Sequence, residues 1–187
     1  MERPTPVDTQ IVLDPKKYIV SKTDAKGVIE YANEYFMKIC GYSEAELIGK
    51  PHNIIRHPDM PRIVFKMMWS RIQSGQNIMA VVKNLAKDGK YYWVVTEFES
   101  KKDKLTNKII GYTAFRKAAP MHAIKTIEPI YKKLREVEEI GGMEASEKYF
   151  RGFLEEKGKS YDEFINGTIQ MSGLFKIFFK AMKKIFS

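Results

Sequence analysis

The 187-residue chain is poor in cysteine and lacks long apolar runs, and both scarcities limit its class. Its single cysteine, Cys40, cannot form an internal disulfide, which is typical of a protein in a reducing compartment. The N-terminal MERPTPVDTQ has no apolar core of the kind found in signal peptides. No apolar run approaches the ~20 residues that a membrane-spanning helix needs. These features predict a cytoplasmic protein.

The distribution of charge along the chain bears on its partners. The formal net charge is +9, but lysines and arginines alternate with acidic residues over most of the chain. A nucleic-acid-binding domain concentrates its basic residues on one helix or stripe, so we expect no nucleic-acid partner. One segment differs: residues 173–187, GLFKIFFKAMKKIFS, contain four lysines and no acidic residue.

The periodicity predicts an α+β domain over residues 17–119, after a lead-in at 1–16 and before a helical extension at 120–187. Two short β-rich runs in 17–33 flank a turn at Gly27, and short helices follow. The longer helix and three further strands are expected at 60–75, 77–85, 90–98 and 108–117. This order predicts a five-stranded antiparallel sheet with helices on one face.

Several residues are expected to mark helix ends. Asn33 is placed to cap the first short helix, and Asp59 to cap the long one. Pro129 should kink or break the extension near Glu128, because proline lacks the N–H that a helix interior uses. Gly141-Gly142 should stop that helix, and a further break is expected at Gly167 or Gly173.

The stretch 52-HNIIRHPDMP-61 holds two of the three histidines. Its histidines are five residues apart, without the spacing or supporting ligands of a metal site, so we expect none. No nucleophile motif accompanies Cys40, so we expect no catalytic residue. A haem held by one axial histidine stays open, because it requires a single ligand and an apolar pocket. A helix boundary explains Pro58 and Asp59, but it leaves the arginine and both histidines unexplained.

Three segments resemble a known family: 23-TDAKGVIEYANEYF-36, 41-GYSEAELIGKPHNIIRHPDMP-61 and 83-KNLAKDGKYYWV-94. They are similar to the flavin-binding PAS domain of aerotaxis and energy-taxis sensors of the Aer and CetB family. The element order is also that of a PAS domain, and the resemblance covers roughly residues 15–120. With the helical segment that begins 140-IGGMEASEKY-149, the chain most resembles the stand-alone CetB type.

The resemblance implies non-covalent FAD. Flavin needs an apolar slot, an amide for the polar edge of its ring and cationic donors for its diphosphate. Arg56 can donate to a phosphate with His57 beside it, and Asn84 can offer the amide. The residues expected at the cofactor are Arg56, His57, Asn84, Trp69, His52, Asn33, Asp59, Phe65 and Trp93.

Three of these assignments leave a second role open. Asp59 is expected to cap a helix or orient Arg56 rather than contact an anionic cofactor. Trp69 lies on an apolar helical face, where core packing explains it as well as flavin contact does. For Asn33 the helix cap is the favoured role.

The photoreceptor branch of the fold forms an adduct through a cysteine within the stretch matching 52–57. This chain has no cysteine there, so we expect no cysteinyl photoadduct.

The function predicted from these features is a non-enzymatic FAD-binding redox, oxygen or energy sensor. It would signal to a membrane-bound chemotaxis receptor by protein contact, with a homodimer as a further option. The alternatives are a haem-binding gas sensor, a cofactor-free PAS adaptor and a small flavoprotein oxidoreductase. An amphipathic helix at 173–187 could pack on its own domain, on a partner, or on the inner face of the cell membrane.

Overall fold

The computed structural model describes residues 3–169, so the predicted helix at 173–187 lies outside the described residues. A single antiparallel sheet has the order β2-β1-β5-β4-β3. Its strands are β1 (Ile19–Asp24), β2 (Ile29–Ala32), β3 (Ile78–Leu85), β4 (Tyr91–Lys102) and β5 (Ile109–Ala118). The predicted five-stranded sheet is confirmed, and β4 extends four residues beyond the predicted Phe98 because it stays paired with β5 as far as Lys102.

Five α-helices and one 3-10 turn complete the described part of the chain. They are α1 (Glu34–Cys40), α2 (Glu44–Leu47), the 3-10 turn (His52–Ile55), α3 (Arg62–Gln73), α4 (Met121–Glu156) and α5 (Tyr161–Ile169). No helix within residues 3–169 is both long and apolar enough to cross a membrane.

The two faces of the sheet have different coverings. Side chains alternate between the faces of a strand, so Asn84 and Thr96 share the face turned toward α3. Trp93 lies on the opposite face, where its ring stacks on Tyr131 of α4 with 6.4 Å between centroids. The helices α1 to α3 therefore enclose one side, and the first half of α4 covers part of the other.

Local turn and cap chemistry follows the sequence closely. The Asn33 side chain accepts the N–H of Phe36 at 3.1 Å and caps α1, as predicted. Gly27 has φ 83°, a conformation that glycine adopts without the steric cost of a Cβ. Both features were predictable because each depends on residues within a few positions.

The predicted cap at Asp59 is wrong. Helix α3 begins at Arg62, and its first N–H groups meet the carboxylate of Glu138 from α4. Asp59 instead accepts a hydrogen bond from Lys83 Nζ at 2.7 Å. A lysine on the neighbouring strand is a stronger partner for the carboxylate than the neutral N–H groups of the helix.

A kink or a break was predicted near Pro129, but helix α4 continues through this residue without a break. Ile127 and Tyr131 on either side of it are buried, and the Tyr131 hydroxyl donates to the Val81 carbonyl of β3 at 2.8 Å. The non-helical residue is Gly142, with φ 74° and ψ −175°, which agrees with the predicted stop at Gly141-Gly142. Gly167 does not break α5, which runs through it to Ile169.

Candidate functional site: a cavity between helix α3 and the sheet

A cavity of about 550 Å³ lies between α3 and the inner face of the sheet. This volume is within the range of cofactor and small-molecule sites. The sheet contributes Ser21, Thr23, Val82, Asn84, Thr96, Phe98, Tyr112, Ala114 and Arg116. The helical side contributes mainly aromatic and aliphatic groups, among them Ile55, Phe65, Met68, Trp69 and Ile72. The cavity is thus an apolar slot with a small number of polar groups on its sheet side.

The amide of Asn84 is a buried donor without a hydrogen-bond acceptor. Its residue is 4% exposed, and Nδ2 has no partner that meets hydrogen-bond geometry within the described chain. The amide approaches the hydroxyl of Tyr92, whose pKa burial raises, but this contact does not satisfy Nδ2. An unsatisfied buried donor costs ~1–3 kcal/mol, so a ligand acceptor at this position would be stabilising.

Arg116 places a cation deep in the cavity. Its residue is 2% exposed, and its guanidinium donates to Ser21 Oγ at 2.9 Å and to His52 Nε2 at 2.8 Å. Both partners are neutral, and burial lowers the pKa of Arg116 to about 10, so it stays charged at neutral pH. A buried cation with neutral partners favours an acceptor-rich or anionic ligand.

The hydrogen bond from Arg116 fixes the tautomer of His52. A guanidinium is a donor only, so Nε2 must accept and the imidazole proton resides on Nδ1. Burial, and then the charge of Arg116, hold the pKa of His52 well below its usual range. The ring also stacks on Phe36 with centroids 6.0 Å apart. A haem iron would have to displace Arg116 to reach Nε2, so this arrangement disfavours an axial ligand at His52.

The cavity wall also carries four basic residues, namely Lys26, Arg56, Arg62 and Lys66. Arg56 is partly buried, with its guanidinium 3.9 Å from the centroid of Phe65. It also donates to the Met60 carbonyl at 3.4 Å, a weak bond that leaves most of its donors available. Lys66 is paired with Glu147 and Arg62 lies near Glu138, so Arg56 is the cation best suited to bind a phosphorylated group.

Trp69 forms part of the aromatic wall. Its ring meets Tyr112 edge to face, with centroids 5.4 Å apart, and both residues line the cavity. The backbone of Gly27 packs directly against it, because a Cβ built on Gly27 would lie 2.8 Å from Cη2 of the indole. The position of Trp69 therefore depends on a glycine in the β1–β2 turn.

Five of the nine predicted cofactor residues line the cavity: Arg56, Asn84, Trp69, His52 and Phe65. His57 is among the four that do not. It is 3% exposed and meets the ring of Tyr91 edge to face. Burial, and then Lys83, lower its pKa to about 4. Nδ1 lies 3.4 Å from the Asp59 carboxylate, but it accepts the N–H of Asp59, so His57 is neutral rather than ion-paired.

Asn33, Asp59 and Trp93 also lie outside the cavity lining. The amide of Asn33 is held within the fold, since it caps α1, accepts the N–H of Val20 and donates to the Tyr18 carbonyl. Burial acts to raise the pKa of the Asp59 carboxyl, but the surrounding basic groups, chiefly Lys83 with Nζ at 2.7 Å, together lower it. Trp93 faces α4 on the other side of the sheet. Their positions assign these residues to the frame around the site.

Among the cavity residues that were missed from the sequence, Arg116 and Met143 matter most for the site. Arg116 follows Tyr112 and Ala114 at every second position of β5, and this alternation was a usable signal. An arginine in such a strand is more often solvated, so the pattern alone did not single it out. Met143 follows the bend of α4, and only the path of that helix brings it to the cavity.

Comparisons with known proteins agree with this fold. Residues 29–113 match the model of a family described as PAS fold. The aerotaxis receptor of Escherichia coli is 39% identical over 116 residues, which is 62% of this chain and 22% of the receptor. The nitrogen fixation regulatory protein of Klebsiella pneumoniae is 33% identical over 75 residues, 40% of this chain and 15% of that protein.

Solved structures share the fold. The light state structure of the blue-light photoreceptor Aureochrome1 LOV superposes with a TM-score of 0.52 at 23% identity, over 58% of this chain and 86% of that one. The curated relatives are much longer than the matched region, which spans about a fifth or less of each of the two named above.

Proposed function

Because the chain contains a PAS domain homologous to part of the aerotaxis receptor, we propose that it is an FAD-binding redox sensor. In this proposal FAD is held without a covalent bond in the cavity between α3 and the sheet. The chain itself is not an enzyme, and its output is a contact with another protein.

The observation that carries the proposal is the distribution of polar groups around the cavity. Asn84 and Arg116 lie on the sheet side, where a heteroatom-rich ring edge would satisfy the free amide and the buried cation. Trp69 and Phe65 provide an apolar wall for a flat ring. Arg56, with the other cations of the wall, suits a diphosphate. The flavin ring and the diphosphate of FAD thus each have matching residues.

Bound FAD would supply reversible electron transfer, which changes the charge and protonation of its ring. The residues of this chain would hold the ring, exclude water from it and respond to that change. Asn84 lies on β3 and Arg116 on β5 of one sheet, and α4 follows β5 in the chain. A change in the hydrogen bonds from these residues to FAD would therefore act on the sheet and on the start of α4. This route requires no second substrate and no proton-transfer pair.

The proposed partner is a membrane-bound chemotaxis receptor, as expected for the stand-alone CetB type of sensor. Homology to the aerotaxis receptor supports the taxis pathway. The proposed location is the cytoplasm, with contact to the membrane through the partner or through residues 173–187.

The absorbance spectrum of the purified full chain tests the cofactor directly. We expect flavin bands, and chromatography of the heat-released cofactor should identify FAD at one per chain. A Soret band would show haem instead. A colourless protein that takes up no FAD would support the cofactor-free adaptor, and steady turnover of NADH would indicate an oxidoreductase.

Two variants test the phosphate-binding role of Arg56. Arg56→Ala should weaken FAD binding by about tenfold or more, because an arginine–phosphate contact is a strong charge-assisted hydrogen bond. Lys38→Ala removes an equal charge from an exposed position of α1 and should leave FAD binding unchanged. Equal FAD affinity in both variants would reject the assignment of Arg56, provided that circular dichroism shows both to be folded.

A further inference from the structure

Helix α4 contributes directly to the cavity after its bend. At Gly142 the backbone leaves the helical conformation, and the next residue, Met143, lines the cavity while remaining 37% exposed. Ser146 then donates to the Leu134 carbonyl at 3.1 Å across the bend, which holds the two halves of α4 together. We call residues 121–169, which comprise α4 and α5, the C-terminal arm.

Glu138 of the arm caps the helix that forms the cavity wall. One of its carboxylate oxygens accepts the N–H of Arg62 at 2.9 Å, and the other accepts the N–H of Ile63 at 2.7 Å. A carboxylate at a helix N-terminus is favoured by both hydrogen bonding and the helix dipole. Glu138 is 7% exposed, so the docked arm shields these two charge-assisted hydrogen bonds from water, and separation of the arm would remove the cap from α3. This contact is therefore a specific tie between the arm and α3.

Weaker contacts continue along the same helix. Lys66, which lines the cavity, pairs with Glu147 at 2.7 Å, and Arg71 pairs with Asp162 at 2.7 Å. These ion pairs are largely solvent-exposed and contribute little individually. The Tyr161 hydroxyl also donates to the Met79 carbonyl of the edge strand β3 at 3.0 Å. Helix α3 is consequently held between the cavity on one side and the arm on the other.

We propose that the C-terminal arm completes the ligand site, so that FAD binding and docking of the arm stabilise one another. Met143 supplies part of the wall, and Glu138 fixes the start of the helix that supplies Phe65 and Trp69. The inference rests on the proposed FAD binding. Linkage makes the effect reciprocal: a docked arm tightens FAD binding by the same factor by which FAD favours docking.

The Glu138 contact is tested with the full-length protein. Glu138→Ala should speed amide hydrogen exchange in residues 143–169 and weaken FAD binding by roughly tenfold, within the usual range of coupled sites. Glu138→Gln keeps an acceptor oxygen without the charge, so its exchange rate and FAD affinity should lie between those of the wild type and Glu138→Ala. Glu136→Ala is the matched control, because Glu136 lies on the same helix in an exposed pair with Lys133. It should change neither measurement.

Met143 allows a test that leaves the cap intact. Met143→Ala should weaken FAD binding a few-fold through lost apolar contact, with the arm still docked by hydrogen exchange. Ile140→Ala is the control: it removes an apolar group of similar size from a side chain that is 91% exposed and does not line the cavity. FAD affinity should be unchanged in that control.

The outcomes separate this inference from the cofactor assignment. If the wild-type chain binds no FAD, the proposed function fails. If it binds FAD, addition of FAD to the apoprotein should slow exchange in residues 143–169. The inference would be overturned if FAD left the amide hydrogen exchange of residues 143–169 unchanged. It would also be overturned if Glu138→Ala sped this exchange but kept normal FAD affinity. The same holds if the arm of Glu138→Ala exchanges as in the wild type. Should Glu138→Ala fail to fold, the Met143 pair and the wild-type exchange experiment decide.

Discussion

Arg116 lies 2.8 Å from Nε2 of His52, and this pair places a charged donor against a neutral ring in the interior of the domain. Burying a guanidinium beside neutral groups costs free energy. A buried arginine in such a position therefore indicates that its charge has a function. The hydrogen bonds to Ser21 and His52 reduce that cost but bring no countercharge. We infer that the charge serves the ligand.

Arg116→Met should therefore separate ligand binding from stability. Methionine fills similar space without the buried charge, so the free energy of unfolding of the apoprotein should be unchanged or higher. FAD affinity should fall by about tenfold or more, because a hydrogen bond to a charged group contributes ~1.5–3 kcal/mol. Urea unfolding of the apoprotein and FAD titration measure the two effects.

Arg116→Lys is the control for charge. Lysine keeps the cation but not the forked geometry that reaches Ser21 and His52 together, so its FAD affinity should lie between those of the wild type and the methionine variant. Unchanged FAD affinity in Arg116→Met would contradict a ligand role for the charge.

Features set by neighbouring residues were predictable from the sequence. Asn33 precedes a helix and Gly27 sits in a hairpin turn, so each conformation follows from a few local side chains. The sheet was predictable for a related reason, because alternation and turn residues define antiparallel strands that follow one another. Trp69 and Asn84 then reached the cavity as expected from their helix and strand.

Features set by distant contacts were not predictable. Asp59 was predicted to cap α3, but its carboxylate binds Lys83, and the cap comes from Glu138, 76 positions beyond Arg62. His57 is close to Arg56 in sequence, yet its ring turns into the core beside Tyr91. The partners in these contacts are far apart in the sequence, so only the three-dimensional structure identifies them.

Residues 173–187 are predicted to bring the protein to membranes or to a receptor at the membrane. An amphipathic segment with four lysines and no acid can place its apolar side in the interface and its lysines at anionic headgroups. Truncation after Ser172 should leave FAD content unchanged and release the protein from the membrane fraction. Membrane fractionation identical to that of the intact chain would assign the segment a packing role within the protein or its dimer.

Acid should destabilise the fold through His57. Burial, and then Lys83, lower the pKa of His57 from 6.5 to about 4, although Asp59 opposes this shift. Between these values the unfolded chain binds a proton that the folded chain does not, so stability falls as the pH drops from 6.5 toward 4. In His57→Gln the urea midpoint should decline less steeply over this window. His122→Gln, at an exposed position of α4, should keep the wild-type slope.

Gly27 and Gly49 form a matched pair for the wall at Trp69. Both have positive φ, 83° and 77°, so alanine at either position bears a similar backbone cost of ~1–2 kcal/mol. At Gly49 a Cβ would meet nothing within 4 Å, whereas at Gly27 it would lie 2.8 Å from the indole of Trp69. Gly27→Ala should therefore lower the thermal midpoint more than Gly49→Ala, shift tryptophan fluorescence and weaken FAD binding. If both variants lose equal stability and keep equal FAD affinity, the Trp69 indole moves away from the added Cβ at little cost and does not define the cavity wall.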